Sequence, residues 1–269
     1  MPRDPISLPP GRFSVPGPRR DRGVADLRAR IRRIEGGAAA GGATVPLGIA
    51  AIDAHLPGGG LARDALHEIV AESPGDAGAG AGFCAVLLAR LARGQGGPVL
   101  WCRNRAALDA GEIYPPGLAR FGLDPARLIA VHARRDRDVL WTLEEGLASK
   151  ATAAVLGEIG ALDLTASRRL QLAAERARTP AILLRLAGRA RDTSAAATRW
   201  RLAAEPSRPR GPAAALDEPG GPCWRARLVR CRGGAPGAWI MEWRDETGDL
   251  ALAAPVRDRP AQPCRAAAR

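Results

Sequence analysis

Residues 67–91, "HEIVAESPGDAGAGAGFCAVLLARL", join a short apolar strand to a helix through a glycine-rich turn. This is the layout of a phosphate-binding loop, in which backbone N–H groups at a helix N-terminus hold phosphates and a Lys followed by Ser or Thr completes the site. The helix is predicted to open at Gly82, where Phe83 and Cys84 stand in place of those two residues. The stretch therefore indicates either an altered nucleotide site or a fold whose phosphate chemistry has been lost.

Apolar strand-like runs alternate with helical patterns around this stretch, from residue 45 as far as residue 186. Such alternation predicts an α/β fold with a mostly parallel sheet flanked by helices. The predicted strands are residues 66–70, 99–102, 128–131, 153–156 and 181–186, and the predicted helices are residues 82–93, 116–121, 136–149 and 164–176.

The pattern changes after residue 186, where four segments alternate apolar and polar residues at the period of a strand. They are "TRWRLAAE" (198–205), "CWRARLVRCR" (223–232), "AWIMEWRD" (238–245) and "GDLALAA" (248–254). Short alternating segments separated by turns predict antiparallel strands that extend the sheet. The predicted core therefore spans residues 45–255, with a loop at 206–222.

The two ends of the chain differ in composition from the core. Residues 1–20 are rich in Pro and Arg, and they and the tail 256–269 are predicted to be disordered. Residues 21–44 are predicted to form a helix followed by a Gly-rich linker. The helix has one apolar stripe, formed by Val24, Leu27, Ile31 and Ile34. A stripe this narrow docks either on the chain's own core or on a partner or neighbouring protomer, which makes Leu27 and Ile31 candidate contacts between protomers.

The net charge of +12 and the pI near 11.1 indicate an acidic partner, most commonly nucleic acid. The alternative is a solvated basic face, because Lys150 is the only Lys and the excess of Arg, Ala, Gly and Pro is typical of a GC-rich genome. The five Cys include no C-x-x-C pair, which argues against a zinc site and a disulfide framework. With no long apolar run and no signal peptide, the sequence predicts a cytoplasmic, nucleoid-associated protein without a membrane segment.

The order of elements resembles the core of the RecA recombinases. The matching blocks are "PLGIAAIDAHLPGGGLARDALHEI" (46–69), "LARFGLDPARLIAV" (118–131), "AAVLGEIGAL" (153–162), at the place of the Walker B strand, and the late hairpin 223–243. In that hairpin Arg230 and Arg232 match two basic residues that in RecA reach the nucleotide of a neighbouring protomer. The resemblance makes them candidate contacts between protomers.

Within that superfamily the chain resembles the ImuA family, the RecA-like component of the bacterial mutagenic translesion cassette. The blocks that carry this resemblance are residues 161–175, "TRWRL" (198–202) and 228–243, within a similarity that covers residues 20–255. It implies a RecA-like sheet, an N-terminal helix, and partners from the translesion machinery.

The RecA resemblance also indicates which catalytic groups are missing. The phosphate-neutralising Lys is absent, and "WCRNRAALD" (101–109) offers Arg or Asn where RecA carries its catalytic Glu. Gly157 occupies the place of the Walker B Asp, and Glu158 comes one residue late. Losing all three groups removes phosphate neutralisation, water orientation and the anchor of the metal. We therefore expect no catalytic residue, no metal, no cofactor and no ATP hydrolysis.

The glycine-rich turn is then interpreted as the remnant of a phosphate loop. Its members are Ser73, Gly75, Gly78, Gly80 and Gly82. Close packing between helix and strand explains the glycines without any ligand. The remaining alternative is a nucleotide that binds without turnover.

The DNA-contacting loops of RecA have little room in this sequence. "GEIGALD" runs straight into a helix capped by Asp163, and the second loop is cut to residues 187–198. Arg189, Arg191 and Arg199 remain as candidate contacts to DNA phosphates, which would position the protein without reading base sequence. The tryptophans of the late strands are interpreted as residues of the core or of the sheet surface rather than as base-stacking platforms.

The leading hypothesis is a non-catalytic accessory protein of damage-induced (SOS) translesion synthesis. By resemblance it would bridge an ImuB-like Y-family homologue and an error-prone C-family DNA polymerase, with RecA, DNA and a second copy of the chain as further candidate partners. One alternative is a divergent RecA- or RadA-type DNA-dependent ATPase, which requires turnover that depends on Glu158. The other is a cell-division inhibitor similar to SulA, which would block polymerisation of the tubulin-like division protein.

Overall fold

The structure, a computed structural model, describes residues 42–104, 111–185, 193–207 and 220–253 and places nine strands of this part of the chain in one sheet. Helices flank a mostly parallel sheet that antiparallel strands extend toward the C-terminus, so the predicted fold class is confirmed. In the described part, no helix has the length and apolar character needed to cross a membrane.

The strands are β1 (Thr44–Val45), β2 (Leu61–Ala62), β3 (Leu66–Ala71), β4 (Val99–Asn104), β5 (Leu128–Ala133), β6 (Ala154–Ile159), β7 (Ala181–Arg185), β8 (Thr198–Glu205), β9 (Cys223–Cys231), β10 (Gly237–Arg244) and β11 (Asp249–Leu252). The helices are α1 (Ala50–Asp53), α2 (Ala77–Leu91), α3 (Pro115–Arg120), α4 (Asp136–Ala148) and α5 (Leu164–Ala177). β1 and β2 form a small separate ribbon, and the other strands form the central sheet.

Several sequence predictions fall outside the described residues. These are the N-terminal helix with Leu27 and Ile31, the loop arginines Arg189 and Arg191, most of the loop 206–222, and the tail 256–269. They stay predictions.

The central sheet has the strand order β11-β10-β9-β8-β3-β7-β6-β4-β5. All neighbours from β8 to β5 run parallel, and β9 to β11 are antiparallel. The prediction that the late strands extend the sheet as antiparallel strands is confirmed for β9 to β11, whereas β8 is antiparallel to β9 but parallel to β3, with Glu68 opposite Arg199. Alternating polarity reveals which face of a strand is buried, but it does not reveal the neighbour or the direction.

Two apolar layers enclose the parallel strands. One lies between α2 and the sheet and includes Trp101, Trp200 and Trp224. The other lies between the sheet and the pair α4 and α5. Of the late tryptophans, Trp200, Trp224 and Trp243 are buried in the core, and Trp239 is partly buried against the same cluster.

The link from β6 to α5 is short, as predicted. Asp163 caps α5 by accepting a hydrogen bond from the backbone N–H of Ala166 over 2.7 Å. A side-chain oxygen at this position satisfies one of the N–H groups that a helix leaves unpaired in its first turn. The connection therefore leaves no long loop at this end of β6.

Candidate functional site

The turn between β3 and α2 is much tighter than the sequence suggested. A short 3-10 turn at Pro74–Asp76 leads directly into α2, which begins at Ala77 rather than at Gly82. The predicted helix start was therefore wrong, and Gly78, Gly80 and Gly82 lie inside the helix instead of in a loop. Glycine is a poor helix former, so residues 77–82 carry no local signal for this start, and tertiary packing overrides the preference.

Gly80 shows what that packing requires. A Cβ atom at this position would lie 2.8 Å from the Cδ1 atom of Leu184 on β7, closer than two such atoms can approach. The absence of a side chain lets α2 lie directly on the sheet. By contrast, a Cβ at Gly78 would meet nothing within 4 Å. Close packing therefore accounts for Gly80 but not for Gly78.

The first turn of α2 carries no group that could neutralise a phosphate. Residues 77–80 are alternating Ala and Gly, with neither a Lys nor a hydroxyl. Phe83 and Cys84, which the sequence placed at the helix start, lie one turn further along and are both 0% exposed. The Phe83 ring packs 6.0 Å from that of Trp200, and burial raises the pKa of the Cys84 thiol well above its usual value. Both residues belong to the core.

A carboxylate of the chain itself lies at the N-terminus of α2. Asp76 accepts a hydrogen bond from the Ser73 hydroxyl over 2.6 Å and another from the backbone N–H of Ala204 over 2.8 Å. These two bonds hold the pKa of Asp76 below its usual value. A negative charge is favourable next to the positive end of a helix dipole, and it repels a phosphate that approaches the same end.

The neighbouring strands place a buried ion pair beside this helix start. The Nε atom of Arg103 on β4 lies 2.8 Å from a carboxylate oxygen of Glu158 on β6, and both residues are almost fully buried. The same oxygen accepts a hydrogen bond from the Trp101 indole over 2.7 Å, while Arg103 also donates to the Gly111 carbonyl over 3.0 Å. Arg103 is one of the Arg and Asn residues that stand where the resemblance to RecA expects the catalytic Glu.

The structure also changes the interpretation of the Walker B position. Successive residues of a strand face opposite sides of a sheet. Glu158 faces α2, and Glu158 and α2 line the same cavity. Gly157 faces α4, and a Cβ there would lie 2.7 Å from Leu143 and 2.9 Å from Val139. Glu158 rather than Gly157 thus has the orientation that a metal-anchoring carboxylate needs, but Arg103 and Trp101 already use its charged oxygen.

The cavity beside α2 has a volume of about 230 Å³, below the roughly 300–1,000 Å³ of common ligand pockets. Aromatic and aliphatic side chains form most of its wall, including Tyr114, Leu118 and Phe121, and the Arg103–Glu158 pair lies in its floor. Burial raises the pKa of Glu158, against the opposing effect of the Arg103 charge. The cavity is therefore small, largely apolar and internally charge-compensated.

The candidate DNA contact Arg199 is tied to the interior of the protein. Its Nε atom lies 2.7 Å from one oxygen of Glu68, whose other oxygen pairs with Arg185 over 3.0 Å. Its side chain is only 15% exposed. A DNA phosphate at Arg199 would have to compete with this buried carboxylate.

The structure does not bring Arg230 and Arg232 near the cavity. They lie at the amino-terminal edge of the parallel strands, since Cys231 pairs with Thr198 at the start of β8. Arg230 donates a hydrogen bond to the Ser194 carbonyl, and Arg232 lies 3.5 Å from Glu175 on α5. Both side chains are engaged within their own chain, at the opposite edge of the sheet from the start of α2.

A second group of arginines escaped the sequence analysis. Arg201 on β8 and Arg225 and Arg227 on β9 each lie 3.6 Å from Glu72, the residue that follows β3. Their alternate spacing within each strand was the available signal, because it puts them all on one face. Only the strand order shows that they meet around one carboxylate.

Comparison with known proteins adds a family to this geometry. No family model matches the chain. The proteins named "Protein ImuA" from two strains of Caulobacter vibrioides are each 39% identical to it over 202 residues, which cover 71% of this chain and 80% of the relative.

Proposed function

The chain belongs to the ImuA family, which acts in bacterial translesion mutagenesis, and we propose that it serves there as a non-catalytic adaptor with a RecA-like body. In this role it links an ImuB-like Y-family homologue to an error-prone C-family DNA polymerase at damaged DNA. RecA and a second copy of the chain are further candidate partners. Family membership supports the pathway, and the site geometry supports the lack of catalysis.

The Arg103–Glu158 pair carries the proposal. ATP hydrolysis of the RecA type needs a carboxylate to orient water, a Lys to neutralise the β- and γ-phosphates, and a carboxylate that anchors the metal. Here an Arg or Asn stands at the first position, and Arg103 neutralises the carboxylate that faces α2. The first turn of α2 offers no Lys. The native Asp76 carboxylate at the helix N-terminus also makes the site unfavourable for a polyphosphate.

We expect no ATP hydrolysis by the purified protein, with or without single-stranded DNA and with the partner proteins present. The measurement is phosphate release, compared between the wild type and a Glu158→Gln variant. Turnover of about 1 per second is the lower end of usual enzyme rates. If the wild type reaches this rate and the variant loses it, the result contradicts the adaptor role and favours a DNA-dependent ATPase.

The apolar stripe of the predicted N-terminal helix is the candidate contact for partner or self-association. We expect the double variant Leu27→Asp, Ile31→Asp to lose it, because each buried Leu or Ile contributes about 1.5–3 kcal/mol and a short helix has few other contacts. Co-purification with the ImuB-like partner and sedimentation of the protein alone measure the two kinds of association.

The matched control is Ala25→Asp, Ala29→Asp, which adds the same charge on the opposite side of the helix. The control should retain association, and both variants should keep the melting temperature of the core. If Leu27→Asp, Ile31→Asp instead lowers the melting temperature while association persists, the stripe packs on the chain's own core.

A further inference from the structure

Within the described part of the chain, no helix covers one face of the sheet over its antiparallel end. α4 and α5 cover that face over the parallel strands, and their apolar cluster includes residues of β3, β4, β6 and β7. Over β9 and β10 the outward side chains of the same face are solvent-exposed, among them Arg225, Arg227 and Ile240. The tryptophans of β8 to β10 point to the opposite face, into the core with α2. The open face therefore presents arginines without aromatic rings among the described residues of these strands.

Strand register gathers the arginines of this face. Arg201 lies directly opposite Arg227 in the β8–β9 pairing, and Arg225 follows on the same face of β9. Like charges directly opposite each other are unfavourable in a sheet. Glu72 reduces this repulsion because its carboxylate lies 3.6 Å from all three guanidinium groups. We call Arg201, Arg225 and Arg227 the arginine cluster.

The cluster keeps an excess of positive charge. Its three arginines contact two carboxylates, that of Glu72 and that of Glu205, which lies 3.4 Å from Arg225. Three positive charges therefore face two negative ones. Each side chain of the cluster is 43–50% exposed. Because a guanidinium has five N–H donors, contact with one carboxylate oxygen leaves others directed to solvent.

We propose that the arginine cluster is a contact surface for the phosphate backbone of single-stranded nucleic acid. Arginine binds phosphate through two parallel N–H donors, a geometry that lysine does not offer. Arg225 and Arg227 repeat along β9 at about 6.6 Å, twice the rise per residue of a strand, so successive guanidinium groups meet successive charges of an extended polyanion. Without exposed aromatic rings for base stacking, such contacts position the strand and do not read its sequence.

This inference deepens the proposed function, since it rests on an adaptor that works at DNA, and it moves the contact away from Arg199. The side chain of Arg199 is mostly buried against Glu68, whereas the side chains of the cluster are about half exposed. An acidic protein segment is the competing occupant of this face. We favour nucleic acid over such a segment because the cluster offers repeated charges, which match a uniformly charged backbone, and only a few apolar anchors such as Ile240.

The test is fluorescence anisotropy of a labelled single-stranded oligonucleotide across a salt series. The triple variant R201Q/R225Q/R227Q should bind at least about tenfold more weakly at moderate salt, and the slope of log K against log salt should fall by about 2, since each lost phosphate contact on a single strand contributes about 0.7. Oligonucleotides of different sequence should bind the wild type equally well.

The matched control is R93Q/K150Q/R178Q, which removes the same charge from exposed residues in the loops that precede the parallel strands, at the opposite edge of the sheet. It should change the affinity by less than about threefold and leave the slope unchanged. This control alters only the net charge of the protein, on which nonspecific attraction depends. Equal losses in the two triple variants would overturn the proposal.

Glu72 provides an independent test. Glu72→Gln removes a carboxylate that competes with phosphate, so it should tighten binding of the oligonucleotide while the arginines remain. Adding E72Q to the triple variant also prevents a half-buried carboxylate from being left without its arginines. A quadruple variant that keeps the wild-type melting temperature and still binds weakly supports the surface, whereas one that binds like the wild type excludes it.

Co-purification with the ImuB-like partner separates this proposal from the adaptor role. If the triple variant keeps the partner and loses the oligonucleotide, both proposals stand. Unchanged DNA binding together with loss of the partner would assign the face to an acidic protein and overturn the nucleic-acid surface. A wild type that binds no oligonucleotide even at low salt would overturn it as well, while partner binding would leave the adaptor role intact.

Discussion

Gly157→Asp is expected to prevent the chain from reaching its native fold. A Cβ at this position would lie 2.7 Å from Leu143 and 2.9 Å from Val139, in the fully buried layer under α4. Overpacking a core costs about 1–3 kcal/mol. An unbonded buried polar group adds about 2–7 kcal/mol even when it is neutral. Together these approach or exceed the stability of a typical domain, about 5–15 kcal/mol.

Gly157→Ala is the control for this variant, because it adds the Cβ without the carboxyl group. We expect it to fold and to lose only the overpacking cost of about 1–3 kcal/mol. Circular dichroism and thermal unfolding measure both variants. A folded Gly157→Asp protein that also binds Mg²⁺ would show that position 157 can face the nucleotide side, and it would contradict the strand orientation described above.

Arg103→Leu is expected to lower the free energy of unfolding by about 3–5 kcal/mol at neutral pH, the usual cost of removing one partner of a buried ion pair. The variant removes the Arg103 guanidinium from the buried Glu158 carboxylate. The oxygen that contacted Arg103 keeps its hydrogen bond from the Trp101 indole. Urea unfolding followed by tryptophan fluorescence measures the loss. Buried indoles such as Trp101 report directly on this layer.

The double variant Arg103→Leu, Glu158→Gln is its control. It removes both charges and keeps an acceptor for the Trp101 indole, so it should be more stable than the single variant, since a complete buried pair can often be replaced at little cost. If the double variant is as unstable as the single one, shape rather than charge explains the loss.

The single variant should also depend on pH. Burial already raises the pKa of Glu158, and without Arg103 the opposing effect is gone, so the folded-state pKa rises further above the unfolded value. At pH values between the unfolded-state and folded-state pKa of Glu158, the folded state then binds more protons than the unfolded state. The stability deficit of the variant should therefore shrink as pH falls through the folded-state pKa. A deficit that stays constant between neutral pH and pH 5 would contradict this account.

Much of the fold was predictable because its signals are local. The bounds of β8 were predicted from alternation alone, and the cap Asp163 was predicted from its position before a helical pattern. The start of α2 was not predictable, since alternating Ala and Gly has little helix preference and the helix is fixed by contacts such as that of Gly80 with Leu184.

The candidate site was predictable only as a set of absences. The missing Lys and the Arg or Asn at the catalytic position were read directly from the chain. That Arg103 and Glu158 form a pair depends on β4 and β6 being neighbours, which alternation of strands and helices does not specify. The arginine cluster likewise needs β3, β8 and β9 side by side before Glu72 can meet its three partners.

Residue types and their spacing were sufficient to predict the alternation of strands and helices, the apolar faces of the late strands, and the motifs that mark the ImuA family. These depend on residue type and spacing within short windows, where side-chain periodicity is sufficient. Tertiary structure decided which face each charged residue meets. Glu158 and Gly157 are adjacent in the chain, yet one faces α2 and the other is packed against α4. A pleated strand sends neighbours to opposite sides, and only the packing of the layers decides what each side contains.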